Sequence, residues 1–141
     1  MCSSDLPIAA YEFLGPKLEG KDMILIDDMI SSGNTIIETA ALLKKRGAGR
    51  IYICATFGLF TVGLDKFDDA YDQGLFDGLL TTNLVYQTPE LLEKKYYINC
   101  DMSKYIALII DTLNHDLSVS HLLNPVDRIK NCVNNYMKSY E

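Results

Sequence analysis

The strongest constraint on the fold is a short apolar run, Met23-Ile24-Leu25-Ile26, that ends in two acids, Asp27-Asp28. A continuous apolar run of this length is predicted to be a strand buried on both faces, as in a parallel sheet. The polar, glycine-containing stretch Ser31-Ser32-Gly33-Asn34-Thr35 follows almost at once. Next, Ile36, Ile37, Ala40, Ala41 and Leu43 fall on one face of a predicted helix. Lys44-Lys45-Arg46 complement its C-terminal dipole and Gly47 ends it. Ile51-Tyr52-Ile53-Cys54-Ala55 is the next apolar run. Strand, loop, helix and strand make a βαβ unit, which requires parallel strands and a right-handed crossover.

The remaining elements extend this pattern. Gly15-Pro16 and Gly20 mark turns ahead of the first strand. A second helix is predicted over Leu64–Tyr71 with Leu64, Phe67, Ala70 and Tyr71 inward. The charges of Asp65, Lys66, Asp68 and Asp69 then form a solvated face. Leu79–Thr82 and Tyr96–Asn99 read as third and fourth strands, and Ser103–Asn114 as a strongly apolar helix. Asn124-Pro125 reads as N-cap and first residue of a last helix reaching about Met137. The 141 residues suit one domain, and a hydrophobic fraction of 48% is enough for a core.

Charge and cysteine usage narrow the function classes. The net charge is -6, with acids spread along the chain, which disfavours a nucleic-acid surface. No apolar stretch is long enough to span a bilayer, so no membrane partner is expected. Cys2, Cys54, Cys100 and Cys132 have neither CxxC spacing nor a histidine at zinc-ligand spacing, so no metal site is expected from them. They read as reduced, intracellular thiols, with Cys54 buried. His115 and His121 stand six residues apart, which suits surface or cap roles better than catalysis. Tyr86, Tyr96, Tyr97 and Tyr105 read as core or rim residues.

The loop after the first strand carries the chemistry. In an open α/β sheet, ligands sit beyond the carboxyl ends of the strands. Asp27 and Asp28 stand at that end, where two carboxylates suit vicinal hydroxyls, which are donors in search of strong acceptors. Ser31–Thr35 lead into a helix whose first turn has unpaired N–H groups and a partial positive charge. A phosphate fits there, with Gly33 permitting close backbone approach and the Ser31, Ser32 and Thr35 hydroxyls adding donors. One loop thus offers acceptors for a diol and donors for a phosphate, and ribose 5-phosphate has both. An acidic pair alone is more often an ordinary loop feature. The full string of apolar run, two acids and small polar loop at a helix start favours the functional reading. It is not a Walker A loop, because it lacks the Gly-Lys-Ser/Thr ending.

The string Ile26–Thr35 resembles the phosphoribosyl-binding motif of the phosphoribosyltransferase superfamily. Three further segments are similar to ribose-phosphate pyrophosphokinases in order and spacing: Cys54-Ala55-Thr56-Phe57-Gly58-Leu59-Phe60, Thr81-Thr82-Asn83, and Leu117-Ser118-Val119-Ser120-His121-Leu122-Leu123. The resemblance runs from about Pro7 to Leu123 and implies the C-terminal part of such an enzyme. The implied fold is an α/β, parallel-sheet phosphoribosyltransferase-type domain with helices on both faces, lacking its initial strands. The expected organisation is residues 7–124 as this partial domain and 125–141 as a helical tail beyond the family's usual end. Residues 1–6 are expected to be an artefactual start, because Met1-Cys2-Ser3-Ser4-Asp5-Leu6 looks like a translated sequencing-adapter tail on a truncated reading frame. A natural start codon and promoter directly upstream of Met1 would contradict that expectation.

The resemblance also implies a cytoplasmic enzyme that transfers the pyrophosphoryl group of ATP, with magnesium, to ribose 5-phosphate. The products are AMP and phosphoribosyl pyrophosphate for nucleotide biosynthesis, and the intact enzyme is a homo-oligomer. By this match Asp27 and Asp28 hold the ribose hydroxyls, and Ser31, Ser32, Gly33, Asn34 and Thr35 cradle the 5-phosphate. Ser118 and Ser120 match a segment that binds a regulatory phosphate. Family loops usually read Asp-Thr-Gly-Gly-Thr where this chain has Ser31-Ser32-Gly33-Asn34-Thr35. Phe57 stands where many members have His, and Leu123 where many have Phe. No catalytic residue is assigned, because the family's catalytic lysine and arginine lie on a loop upstream of the acidic motif. Ahead of Asp27 the sequence holds only Lys17 and Lys21. The chain alone is therefore expected to be inactive. A phosphoribosyltransferase, or a non-catalytic pyrophosphokinase-like regulator or scaffold, are the alternative readings.

Overall fold

The computed structural model describes residues 17–139, so Met1–Leu6 and the Gly15-Pro16 turn lie outside the described residues. The elements are β1 (Met23–Ile30), α1 (Asn34–Lys45), β2 (Ile51–Gly58), α2 (Asp65–Asp72), β3 (Gly78–Thr82), α3 (Pro89–Leu92), β4 (Tyr97–Cys100), α4 (Ser103–Asn114), α5 (Ser120–Leu123) and α6 (Val126–Lys138). The four strands form one sheet in the order β1-β2-β3-β4, and every pair is parallel. Each predicted strand and helix is present, with boundaries shifted by one residue at α2, β3, β4 and α6 and by more at the far ends of β1 and β2.

Alternation along the strands puts Ile51, Ile53 and Ala55 of β2 and Leu79 of β3 on one face. There they form a single core with Ile36, Ala40 and Leu43 of α1 and Phe67 and Ala70 of α2. The opposite face differs from the sequence expectation. β1 was predicted to be buried on both sides, yet Ile24 and Ile26 are 64% and 82% exposed. Cys54, predicted to be buried, is half-buried on the same face, where burial still pushes its thiol pKa up. The physical reason is position: among the described residues β1 is an edge strand of the sheet. An apolar run reports that a strand suits a double-sided environment but cannot supply the second side. α1 and α2 cover the Ile51–Ile53 side of the sheet.

Two short helices, α3 and α5, escaped the sequence reading. At α3, Thr88 Oγ1 accepts from the Leu91 N–H at 3.2 Å and Pro89 opens the helix, a capping pattern that was present in the sequence. α6 buries no side chain; Val126, Ile129, Val133 and Tyr136 form an exposed apolar stripe. Arg128 ties this helix back by donating to the Leu122 carbonyl and lying over the Tyr105 ring, 5.0 Å from its centroid.

Polar bonds fix the sheet to its flanks. Tyr97 Oη accepts from Gln87 Nε2 at 2.6 Å and lies 2.6 Å from the buried Thr81 Oγ1. Asn83 Oδ1 accepts from the Met102 N–H at 2.8 Å, tying the end of β3 to the start of α4. Asp68, predicted to lie on a solvated face, instead accepts from Lys94 Nζ at 2.6 Å and Tyr96 Oη at 2.8 Å. Burial pushes its carboxyl up, but the two donors outweigh that and hold it below its ordinary value. A depressed carboxylate stabilises the fold above its unfolded pKa, and that contribution is lost as pH falls below about 4. Urea melts across pH 2.5–6 are therefore expected to show the gap between wild type and Asp68→Asn narrowing as pH falls. A gap independent of pH would mean that this ion pair does not feed acid stability.

Candidate functional site

The carboxyl end of β1 and the N-terminus of α1 build the site. The β1–β2 ladder runs from Met23 to Asp27 and resumes at Met29 and Ile30. Between these points the Asp28 N–H donates to Asp27 Oδ1 at 2.8 Å. Both carboxylates are exposed, so their remaining oxygens face water at the strand end.

Gly33 turns the chain into α1 with φ 79° and ψ -4°, a left-handed conformation. Its missing Cβ has a second purpose that the sequence did not reveal. A Cβ there would overlap the Phe67 ring, 2.6 Å from Cε2, so Phe67 of α2 fills the space beneath the loop. On that side the glycine permits close packing by the protein itself. Asn34 is the first helical residue, and the left-handed position belongs to Gly33 alone in this loop.

The first turn of α1 is chemically open. The Ile37 N–H closes onto the Gly33 carbonyl at 3.0 Å, no side chain caps the helix, and its first turn carries no acid. Asn34, Thr35 and Ile36 therefore present N–H groups that the helix itself leaves unpaired. Asn34 and Thr35 are exposed and Ser32 is half-buried. Ser31 Oγ lies 3.2 Å from Thr61 Oγ1.

That last contact belongs to a brace that was not legible in sequence. The Leu59 and Phe60 N–H groups both donate to the Ile30 carbonyl, at 2.8 and 3.3 Å, and the Thr61 N–H donates to the Ser31 carbonyl at 3.1 Å. Phe60 takes a left-handed φ of 45° to make this turn, and its ring meets Phe67 edge-on at 5.3 Å. The segment after β2 thus holds the loop after β1 from below and from the side. The seven residues predicted for the site, Asp27, Asp28, Ser31, Ser32, Gly33, Asn34 and Thr35, lie in one continuous strand-loop-helix corner. Ser118 lies elsewhere in the chain, between α4 and α5, and Ser120 opens α5; their Oγ atoms are 2.8 Å apart.

Residues 13–124 match the family described as phosphoribosyl synthetase-associated domain. The chain belongs to this family. A ribose-phosphate pyrophosphokinase of Mycoplasma genitalium is 32% identical over 105 residues, 74% of this chain and 31% of the relative. One from Thermococcus kodakarensis is 35% identical over 79 residues, 54% of this chain and 28% of the relative. In fold, the chain is similar to phosphoribosylpyrophosphate synthetase from Mycobacterium smegmatis, with a TM-score of 0.63 and 24% identity, covering 72% of this chain and 33% of the other. This chain of the synthetase-associated family spans about a third of the length of the relatives it matches. The parallel α/β sheet expected for the family is the one observed.

No group of three His, Cys, Asp or Glu that could hold a metal occurs among the described residues. Nor is any described helix long and apolar enough to cross a membrane.

Proposed function

We propose that the corner formed by β1 and α1 binds ribose 5-phosphate and belongs to a ribose-phosphate pyrophosphokinase. Exposed Asp27 and Asp28 accept hydrogen bonds from the ribose hydroxyls. The N–H groups of Asn34, Thr35 and Ile36, with the hydroxyls of Ser31, Ser32 and Thr35, donate to the 5-phosphate at the positive end of α1. The observation that carries this reading is the open, acid-free first turn of α1 directly behind two exposed carboxylates.

The activity assigned to the whole protein is pyrophosphoryl transfer from ATP to the 1-hydroxyl of ribose 5-phosphate, giving AMP and phosphoribosyl pyrophosphate. Magnesium fits as a companion of ATP rather than a resident ion. The available donors are two adjacent exposed carboxylates, enough to accept hydrogen bonds from metal-bound water but not to enclose a cation. When bound, it neutralises charge on the transferring phosphates. This chain's residues orient the acceptor sugar: the carboxylates fix its ring hydroxyls and the helix fixes its far end. Ser118 and Ser120 are the proposed hydroxyls for a regulatory phosphate, and the exposed stripe of α6 supports a homo-oligomer.

Transfer of this kind depends on cations placed around the developing charge. Only Lys17 and Lys21 precede Asp27. The purified chain, given ATP, magnesium and ribose 5-phosphate, is expected to bind the sugar phosphate yet release no AMP. AMP release above background would show that the chain carries its own catalytic cations. Saturable binding of phosphoribosyl pyrophosphate with base-dependent turnover would favour a phosphoribosyltransferase instead.

A further inference from the structure

Lys66 has no place in the site as described so far. It lies in the first turn of α2, is exposed, and donates from Nζ to Asn34 Oδ1 at 2.6 Å. An ammonium has three donors, so this bond leaves two. The neighbouring acid Asp68 is taken by Lys94 and Tyr96. Among the described residues Lys66 forms no ion pair, and neither do Asp65 and Asp69, its other acidic neighbours on α2. Its anchor is the residue that opens α1, beside the unpaired N–H groups of the first turn.

The groove between α1 and α2 supports a role at its mouth. It has a volume of ≈ 300 Å³ and is lined by Asn34, Glu38, Lys66 and Asp69 among others. Glu38 lies one turn along α1 from Asn34, so the groove becomes acidic away from the loop and repels an anion. The Asn34 end carries the lysine, and the loop Ser31–Thr35 contains no acid of its own. A dianion on the α1 N-terminus is therefore flanked by one unpaired cation on the α2 side.

We infer that Lys66 is the side-chain cation of the phosphate site, and that Asn34 is a positioning residue that holds the ammonium at the loop. This rests on the ribose 5-phosphate reading above. It assigns the phosphate charge to two sources, a helix N-terminus and a lysine borrowed from the next helix. A lysine held by one neutral amide stays free to turn its other donors to a ligand.

Calorimetric titration of the full chain with ribose 5-phosphate tests this. Wild type, Lys66→Met, Lys66→Arg, Asn34→Ala and the double variant Lys66→Met/Asn34→Ala are compared, with melts to confirm folding. Lys66→Met is expected to weaken ribose 5-phosphate about tenfold, the loss of one charge-assisted contact. Lys66→Arg should recover most of that. Asn34→Ala should weaken binding about threefold alone, and add nothing once Lys66 is gone. The salt dependence of binding should flatten in Lys66→Met. Unchanged affinity in a folded Lys66→Met, or additive losses in the double variant, overturns the inference while wild-type binding keeps the site reading intact. A wild-type chain with no affinity overturns the site reading and this inference with it.

Discussion

Gly33→Ala is expected to destabilise the protein by about 2–5 kcal/mol, the sum of two separate costs. The first is conformational. At φ 79° an alanine Cβ crowds the neighbouring carbonyl, which costs about 1–2 kcal/mol. The second is steric. The new methyl overlaps Phe67, which is 0% exposed and braced edge-on by Phe60. Overpacking of this kind costs about 1–3 kcal/mol. Against a total stability of about 5–15 kcal/mol for a domain, the sum removes a large share of it. Urea unfolding of both variants in a Phe67→Leu background separates the terms. With the ring gone, the added cost of Gly33→Ala should fall to the conformational part alone. An increment that stays the same in both backgrounds would show that Phe67 does not pack beneath the loop.

The second large effect concerns ligand choice. The double variant Asp27→Asn/Asp28→Asn is expected to lose at least tenfold in affinity for ribose 5-phosphate, since hydrogen bonds to ionised groups contribute about 1.5–3 kcal/mol. Affinity for inorganic phosphate should rise, because two negative charges near the anion have been removed. Opposite signs for the two ligands are the signature of a site with separate diol and phosphate halves. Stability should change little: both side chains are exposed, and an asparagine at 27 still offers an oxygen to the Asp28 N–H. Parallel calorimetric titrations decide the matter. Loss of both ligands together would mean that the aspartates support the loop rather than contact the sugar.

The βαβ frame was legible because apolar runs of strand length flank a segment with helical spacing and proper end signals. Two facts of the frame were hidden. The exposure of Ile24 and Ile26 depends on what lies beside β1, and a run of apolar residues is silent about its neighbours. α3 was readable from Thr88-Pro89-Glu90, which has the residues of a helix start, but its single turn carries no periodicity.

At the candidate site, the residues within one stretch of chain could be proposed from sequence, and the neighbours packed around them could not. Asp27 to Thr35 are contiguous, so composition and order reveal them. Phe67 under Gly33, Thr61 beside Ser31 and Lys66 on Asn34 lie about thirty residues away in sequence. Nothing local marks them; Lys66 in particular looked like part of a solvated charge run. Asp68 was misread for the same reason, since its partners Lys94 and Tyr96 come from the approach to β4. Sequence singled out the candidate loop, and the tertiary fold supplied the residues packed around it.

The central claim is that the corner between β1 and α1 is a ribose 5-phosphate site. Amide NMR of the uniformly ¹⁵N-labelled chain during titration with ribose 5-phosphate tests it most directly, with ribose as the control. The expected result is a saturable shift of Asn34, Thr35 and Ile36, with smaller shifts at Asp27, Asp28 and Thr61, and far weaker binding of ribose alone. Unshifted amides in the first turn of α1 at saturating ligand, or shifts confined to another part of the fold, would contradict the account.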